Sequence, residues 1–219
     1  ERAIAAWARV PERFVNDRGA GEFGALARER ADLDAYLGHV ARTPLASLAE
    51  GPLRLAHMIN AYNALSMANV IDSGIPKTHA GWNKLRFFVL RRFDIGGSTL
   101  SLYAFENGVI RPYTRRIGEP RVHFALNCSA VSCPLLPRRP FEAATLDAQL
   151  ESETRAFFAR PQNLRIDAAQ RVVYLSELLA FYPEDFVPPA ANLIDYANRY
   201  APERVPDDFG LRFTPYDWT

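Results

Sequence analysis

The sequence predicts an α+β fold, with helices packed on a small, mainly antiparallel sheet built from hairpins. Three observations predict it. Amphipathic segments of helical period recur along the chain. Short Val-, Ile- and Phe-rich segments come in pairs around turn residues. The two kinds do not alternate regularly, as a doubly wound parallel sheet requires. With 219 residues, 48% apolar and 23% charged, the chain has the material for one core, and a single domain over residues 1–219 is expected.

The elements follow in order. Ala3 to Phe14 reads as a short amphipathic helix, broken by Asn16-Asp17-Arg18-Gly19. A second helix fits Phe23 to Val40, with Leu26, Leu33, Leu37 and Val40 on one face. Pro52 suits the first position of a third helix, which runs to Asp72 and ends at Gly74. That helix is apolar on most sides, so it should be central and buried. Arg86 to Ile95, Gly96-Gly97 and Ser98 to Leu100 read as a β-hairpin. Ser101 is a candidate N-cap for a helix over Leu102–Arg111, which Pro112 should stop. Val122 to Leu126 reads as a strand, and Ser129 to Cys133 as a turn entering helical backbone. Thr145 opens a helix to Phe158, and Leu164–Ile166 with Val172–Leu175 forms a second hairpin. Short helices from Ser176 and from Ala191, then a closing strand at Leu211–Phe213, complete the chain.

Several classes of function are excluded or disfavoured. A net charge of +1, with arginine pairs scattered among acidic residues, recruits neither nucleic acid nor an anionic membrane. No apolar run approaches the roughly 20 residues of a spanning helix, so no integral membrane segment is expected. There is no phosphate-cradling Gly-rich loop and no HExxH, so no cofactor is expected. Cys128, Cys133 and His123 fall short of the four ligands of a structural zinc site, so no metal is expected. The chain opens at Glu1 without a methionine, so it reads as a trimmed or processed form, consistent with a removed signal peptide.

The segment His-Phe-Ala-Leu-Asn-Cys-Ser-Ala-Val-Ser-Cys-Pro, 123–134, carries the densest chemistry. A thiol at a strand-to-helix junction meets unpaired backbone N–H groups and the positive end of the helix dipole. Both favour the thiolate, and the same donors can hold an oxyanion. Cys128 is thus a candidate nucleophile, and His123 is the only nearby base. The two are an odd number of residues apart, so in one unbroken strand they would face opposite ways. The competing reading makes both cysteines small buried hydrophobes or a local disulfide.

Glu106 is either the group that orients His123 or an exposed carboxylate pairing with Arg111 or Arg115. Asn60 and Asn63 sit in the apolar third helix and imply a buried polar network. They either brace a loop or, with Asn127 and Ser129, donate to a substrate oxygen. His39, His57 and His79 have no partners in sequence and read as structural.

Ile-Asn-Ala-Tyr-Asn-Ala (59–64), Leu-Ser-Leu-Tyr-Ala-Phe-Glu-Asn-Gly-Val-Ile-Arg (100–111), Arg-Val-His-Phe-Ala-Leu-Asn-Cys-Ser-Ala-Val-Ser-Cys-Pro-Leu-Leu (121–136), Leu-Asp-Ala-Gln-Leu (146–150) and Tyr-Asp-Trp (216–218) occur in that order. From about Val15 to its end, the chain resembles the bacterial branch of domain-of-unknown-function family 547. The resemblance implies a single domain, often behind a secretion signal and hence periplasmic or secreted, whose pattern keeps Glu106, His123 and Cys128. The position of Cys133 is Ser in many plant relatives, which argues against an obligatory disulfide. His57 stands where relatives carry a large apolar residue, so it is not expected to be catalytic. Gly21-Glu22-Phe23 also departs from the family's usual pattern.

The set resembles, in permuted order, that of papain-like and transglutaminase-like thiol enzymes, by analogy of roles alone. The leading expectation is a cysteine-dependent hydrolase or acyl transferase acting on a peptide, amide or ester, with Cys128 as nucleophile, His123 as base and Glu106 as orienter. The alternative is a non-catalytic binding module of the cell envelope for a peptide, glycan or protein. A deep pocket with an exposed thiol would favour the first, and a buried or disulfide-bonded thiol the second. Thiol–disulfide exchange is disfavoured by the spacing of the two cysteines.

Overall fold

The computed structural model describes residues 2–219. Its organising element is the third helix foreseen from sequence. Numbered in chain order, α1 is Arg2–Phe14, α2 Phe23–Arg28, α3 Ala31–Arg42 and α4 Pro52–Asp72. Gly51 precedes Pro52 with φ +93°, a conformation that costs glycine little, and Pro52 opens the helix where its missing N–H is no loss. Every residue of α4 from Leu55 to Val70 is buried.

Four polar residues lie within that buried stretch beside the histidine, and three are amides that tie the helix to distant backbone. Asn60 donates to the Phe141 carbonyl at 2.8 Å and accepts from the Phe141 N–H at 3.0 Å. Asn63 donates to the Ala125 carbonyl at 3.0 Å and accepts from the Asn127 N–H at 2.9 Å. Asn69 donates to the Phe87 carbonyl at 2.9 Å. A buried amide is stable only when so engaged, so α4 acts as a post to which two loops and a helical turn are pegged.

Around this post α1, α2 and α3 pack on one side, where the expected long second helix is interrupted at Glu29-Arg30. A short helix α5 (Trp82–Leu85) continues through a wide turn to Leu90, and only Phe93–Ile95 (β1) and Ser98–Leu100 (β2) pair antiparallel. The foreseen strand from Arg86 is thus half helical. Phe87 is buried there, while Leu85, Val89 and Leu90 remain exposed. This one-sided burial is a helical pattern.

Ser101 caps α6 (Leu102–Phe105) by accepting from the Ala104 N–H at 3.1 Å, as expected. Pro112 does not stop the helix. The chain passes through a widened turn at Glu106–Ile110, closed by the Arg111 N–H on the Glu106 carbonyl, and continues as α7 (Arg111–Ile117). A widened turn relieves the clash and lost bond that a proline imposes on regular helix.

Pro120–Phe124 is a 3₁₀ helix and not the foreseen strand, with the Glu119 side chain accepting from the Arg121 N–H at 3.2 Å. No helix begins at Cys128. Residues 129–133 are bends and turns, with Ser129 at φ +64°. The expectation of a thiol at a helix N-terminus is therefore overturned, and with it any help from a helix dipole.

The second half carries α8 (Leu146–Phe158), the hairpin of β3 (Leu164–Asp167) and β4 (Val172–Ser176), α9 (Leu178–Phe181), α10 (Pro183–Phe186), α11 (Leu193–Asn198) and β5 (Gly210–Thr214). β5 joins β4 in parallel, so the sheet order is β3-β4-β5 with one antiparallel and one parallel pairing. The fold class is α+β, as expected, with two small sheets instead of one. The apolar side chains gather in two clusters, one around α4 and one around Phe124, Phe158, Phe186 and Tyr196 beside the three-stranded sheet.

Candidate functional site

A cavity of about 60 Å³ lies where the two clusters meet. Tyr62 and Leu126 reach it from the first, and Cys128, Leu178 and Tyr216 from the second, with Phe88 packed against both. Glu106, His123 and Cys128 all line it. Three residues picked out of the sequence by chemistry therefore line one cavity, brought there by a widened helical turn, a 3₁₀ helix and an irregular loop. The parity argument lapses, because no strand joins His123 to Cys128.

Their connections differ from the expected triad. His123 Nε2 lies 2.7 Å from Asp185 Oδ2, and both side chains are almost wholly shielded from solvent. A carboxylate only accepts, so Nε2 carries the proton and neutral His123 has its lone pair on Nδ1. Among the described residues Nδ1 has no hydrogen-bond partner. The ring is stacked on Tyr182, with centroids 4.6 Å apart and planes at 18°.

Asp185 Oδ2 also accepts from Arg111 Nε at 2.8 Å, and Oδ1 accepts from Arg115. Burial opposes its charge, but the histidine and the two guanidinium groups outweigh burial and hold the carboxyl well below the usual carboxylate range. The carboxylate that meets His123 is thus Asp185, in the short helix α10, and not Glu106. The sequence carried no decisive mark of it. Asp185 follows Pro183 and Glu184 at a helix start, where acidic residues are ordinary, and it lies 62 residues from His123.

Glu106 is engaged otherwise. Its Oε2 accepts from the Tyr62 hydroxyl and its Oε1 from the Tyr182 hydroxyl, each at 3.0 Å. It pairs with neither Arg111 nor Arg115, which go to Asp185 and Glu184. Burial, and then the nearby Glu106 charge, push the Tyr62, Tyr182 and Tyr216 phenols up, so they remain protonated donors.

Cys128 is bonded to Cys133, with Sγ atoms 2.01 Å apart. The Tyr216 hydroxyl donates to Cys133 Sγ at 3.0 Å. The C-terminal residues strap this loop. The Val131 N–H donates to the Thr219 carbonyl at 2.8 Å and the Ser132 N–H to the Asp217 carbonyl at 3.1 Å.

The four foreseen oxyanion donors are committed to the scaffold. Asn60 and Asn63 hold backbone as described, on the loop-bracing reading of the sequence. Asn127 Nδ2 donates to the Pro134 carbonyl at 2.5 Å, and its Oδ1 accepts from the Ser129 N–H at 2.8 Å. None of the four lines the cavity. Among the described residues no cluster of His, Cys, Asp and Glu fit to hold a metal ion occurs. No helix of the described chain is long and apolar enough to cross a membrane.

The family model described as "Protein of unknown function, DUF547" matches residues 47–158. Glu106, His123 and Cys128 fall inside the match, whereas Asp185 and Tyr216 lie beyond it. No curated protein and no solved structure matches the chain.

Proposed function

This chain belongs to the DUF547 family, and on that premise we propose that it is a cysteine-dependent hydrolase or acyl transferase whose nucleophile is Cys128 in the reduced state. The observation that carries the reading is the His123–Asp185 pair at 2.7 Å beside the cavity that Cys128 also lines. Asp185 fixes the tautomer, His123 accepts the thiol proton at Nδ1, and the thiolate attacks an acyl carbon. A carbon–sulfur bond forms, and the carbon–nitrogen or carbon–oxygen bond breaks as the leaving group takes the proton back from His123. Water or an acceptor amine or alcohol then attacks the thioester and gives its proton to His123; the carbon–sulfur bond breaks, and the departing thiolate takes that proton to restore the thiol.

Reduction precedes all of this. A thiol reductant must convert the disulfide to two thiols and is itself oxidised to its disulfide. Cys128 Sγ cannot act as a nucleophile while it is bonded to Cys133. Disulfide formation also supports an oxidising compartment, the periplasm or the cell exterior.

The deciding experiment is the alkylation rate of Cys128 against pH in a Cys133→Ser protein, with His123→Ala and Asp185→Asn as controls. The proposal expects a thiol that titrates well below 8.5 and returns to about that value without His123. A thiol that reacts only after unfolding overturns it. The second reading, a non-catalytic binding module of the cell envelope, is supported by the disulfide itself and by the burial of Cys128.

A further inference from the structure

With Asp185 serving His123, Glu106 is left without a catalytic duty, yet it lines the same cavity. Both hydrogen bonds to its carboxylate come from phenols, Tyr62 and Tyr182, and no ion pair among the described residues includes it. A carboxylate offers about four acceptor sites, so roughly two remain open. The remaining walls include Phe88, Phe181, Tyr216 and Trp218, whose ring faces are negative and attract cations.

The protein already uses these rings in that way. Lys84 Nζ sits 3.6 Å from the Trp218 centroid and the Arg111 guanidinium 4.1 Å from that of Tyr182. Neither cation lines the cavity, and Arg111 is bound to Asp185 and Glu184. At about 60 Å³ the cavity admits a small group such as an ammonium and the carbon that bears it.

We propose that the Glu106 carboxylate, framed by tyrosine hydroxyls and aromatic faces, is the receptor for a primary ammonium group of the substrate. That group is carried close to the acyl carbon, as in an aminoacyl ester, an aminoacyl amide or a free peptide N-terminus. The substrate's N–H groups donate to the open sites of Glu106, and its positive charge faces the rings. The inference rests on the reading of this cavity as a substrate site, and it names the substrate class.

The test uses the intact, disulfide-closed protein, in which no thiol can react. Glycinamide, with an ammonium beside its carbonyl, is titrated against N-acetylglycinamide, which lacks the charge. The readout is the indole N–H resonance of Trp218 in nitrogen-15 spectra, assigned with Trp218→Phe. Glycinamide is expected to bind at least about tenfold more tightly, the factor that one charge-assisted hydrogen bond supplies. Glu106→Gln, which keeps the size but removes the charge and replaces one acceptor oxygen by an N–H donor, should remove that preference while the other indole signals stay in place. No shift with glycinamide, equal binding of the acetylated compound, or undiminished binding by Glu106→Gln overturns the proposal. Each of these outcomes leaves the thiol chemistry standing, because alkylation of Cys128 tests that separately.

Discussion

His123 and Asp185, 62 residues apart in sequence, meet in a buried hydrogen bond of 2.7 Å that ties the motif-bearing segment to the second half of the chain. The histidine's 3₁₀ helix and the aspartate's helix α10 are held in register by Arg111 and Arg115, which reach Asp185 from α7. Three segments thus converge on one carboxylate.

Asp185→Asn keeps the shape and removes the charge. It should lower the alkylation rate of reduced Cys128 at neutral pH by about ten- to a hundredfold and cost about 2–4 kcal/mol in urea unfolding. The pH dependence follows from the lowered pKa of the aspartate. Its contribution is intact above the unfolded value near 3.9 and is lost as pH falls further. The variant should therefore lose less stability below about pH 4 than the parent, as read from the urea midpoint against pH. Equal acid limbs would remove Asp185 from this account.

The disulfide gives a prediction by mass. Iodoacetamide should add nothing to the native protein and two adducts after treatment with a thiol reductant and unfolding. Closing so short a loop, with Cys128 and Cys133 five residues apart, contributes about 2 kcal/mol in the chain-entropy account. Cys133→Ser should fall in thermal stability accordingly and remain folded by circular dichroism.

His57 is buried in α4, and its ring centroid lies 5.7 Å from that of His39. Burial, and then the His39 charge, push its pKa down to about 4. His39 is lowered too, and Glu142 lines the same apolar cavity. A lowered histidine favours the fold above its unfolded value near 6.5, and stability is lost as pH falls from there to about 4. The loss amounts to up to about 3 kcal/mol. His57→Leu should flatten this window in urea titrations at pH 7 and pH 4. A loss of equal size in the variant would locate the sensitivity elsewhere.

Asn63 holds the Ala125 carbonyl and the Asn127 N–H, one on each side of Leu126. Asn63→Leu leaves both groups buried and unpaired and should cost about 2–4 kcal/mol. Hydrogen exchange should rise at the Asn127 amide, which loses its acceptor, more than along α4. Uniform protection would mean that the loop is held by its other bonds.

How much was legible in advance differs by element. Helix α4 was legible from Pro52 to Asp72, because proline at the first position and a run of apolar residues are local signals. Both hairpins were legible through their turn residues, although the first was drawn too long. Glu106, His123 and Cys128 were recognised as a set because those residue types are chemically distinctive. What misled was again local. Val122–Leu126 has strand composition, yet Pro120 and the Glu119 cap start a 3₁₀ helix there. Pro112 looked like a stop, yet a widened turn absorbs it.

The sequence by itself determined the α+β class, the central buried helix and the residues with chemistry to offer, since these depend on composition and short-range spacing. Only the tertiary structure decided the partnerships. His123 turns to Asp185 and not to Glu106, and Glu106 takes two tyrosine hydroxyls. Cys128 is bonded to Cys133, and the candidate amides are committed to backbone. Which donor meets which acceptor depends on how two separate apolar clusters close against each other. That closure is decided by packing over the whole chain and leaves no mark in the spacing of any one segment.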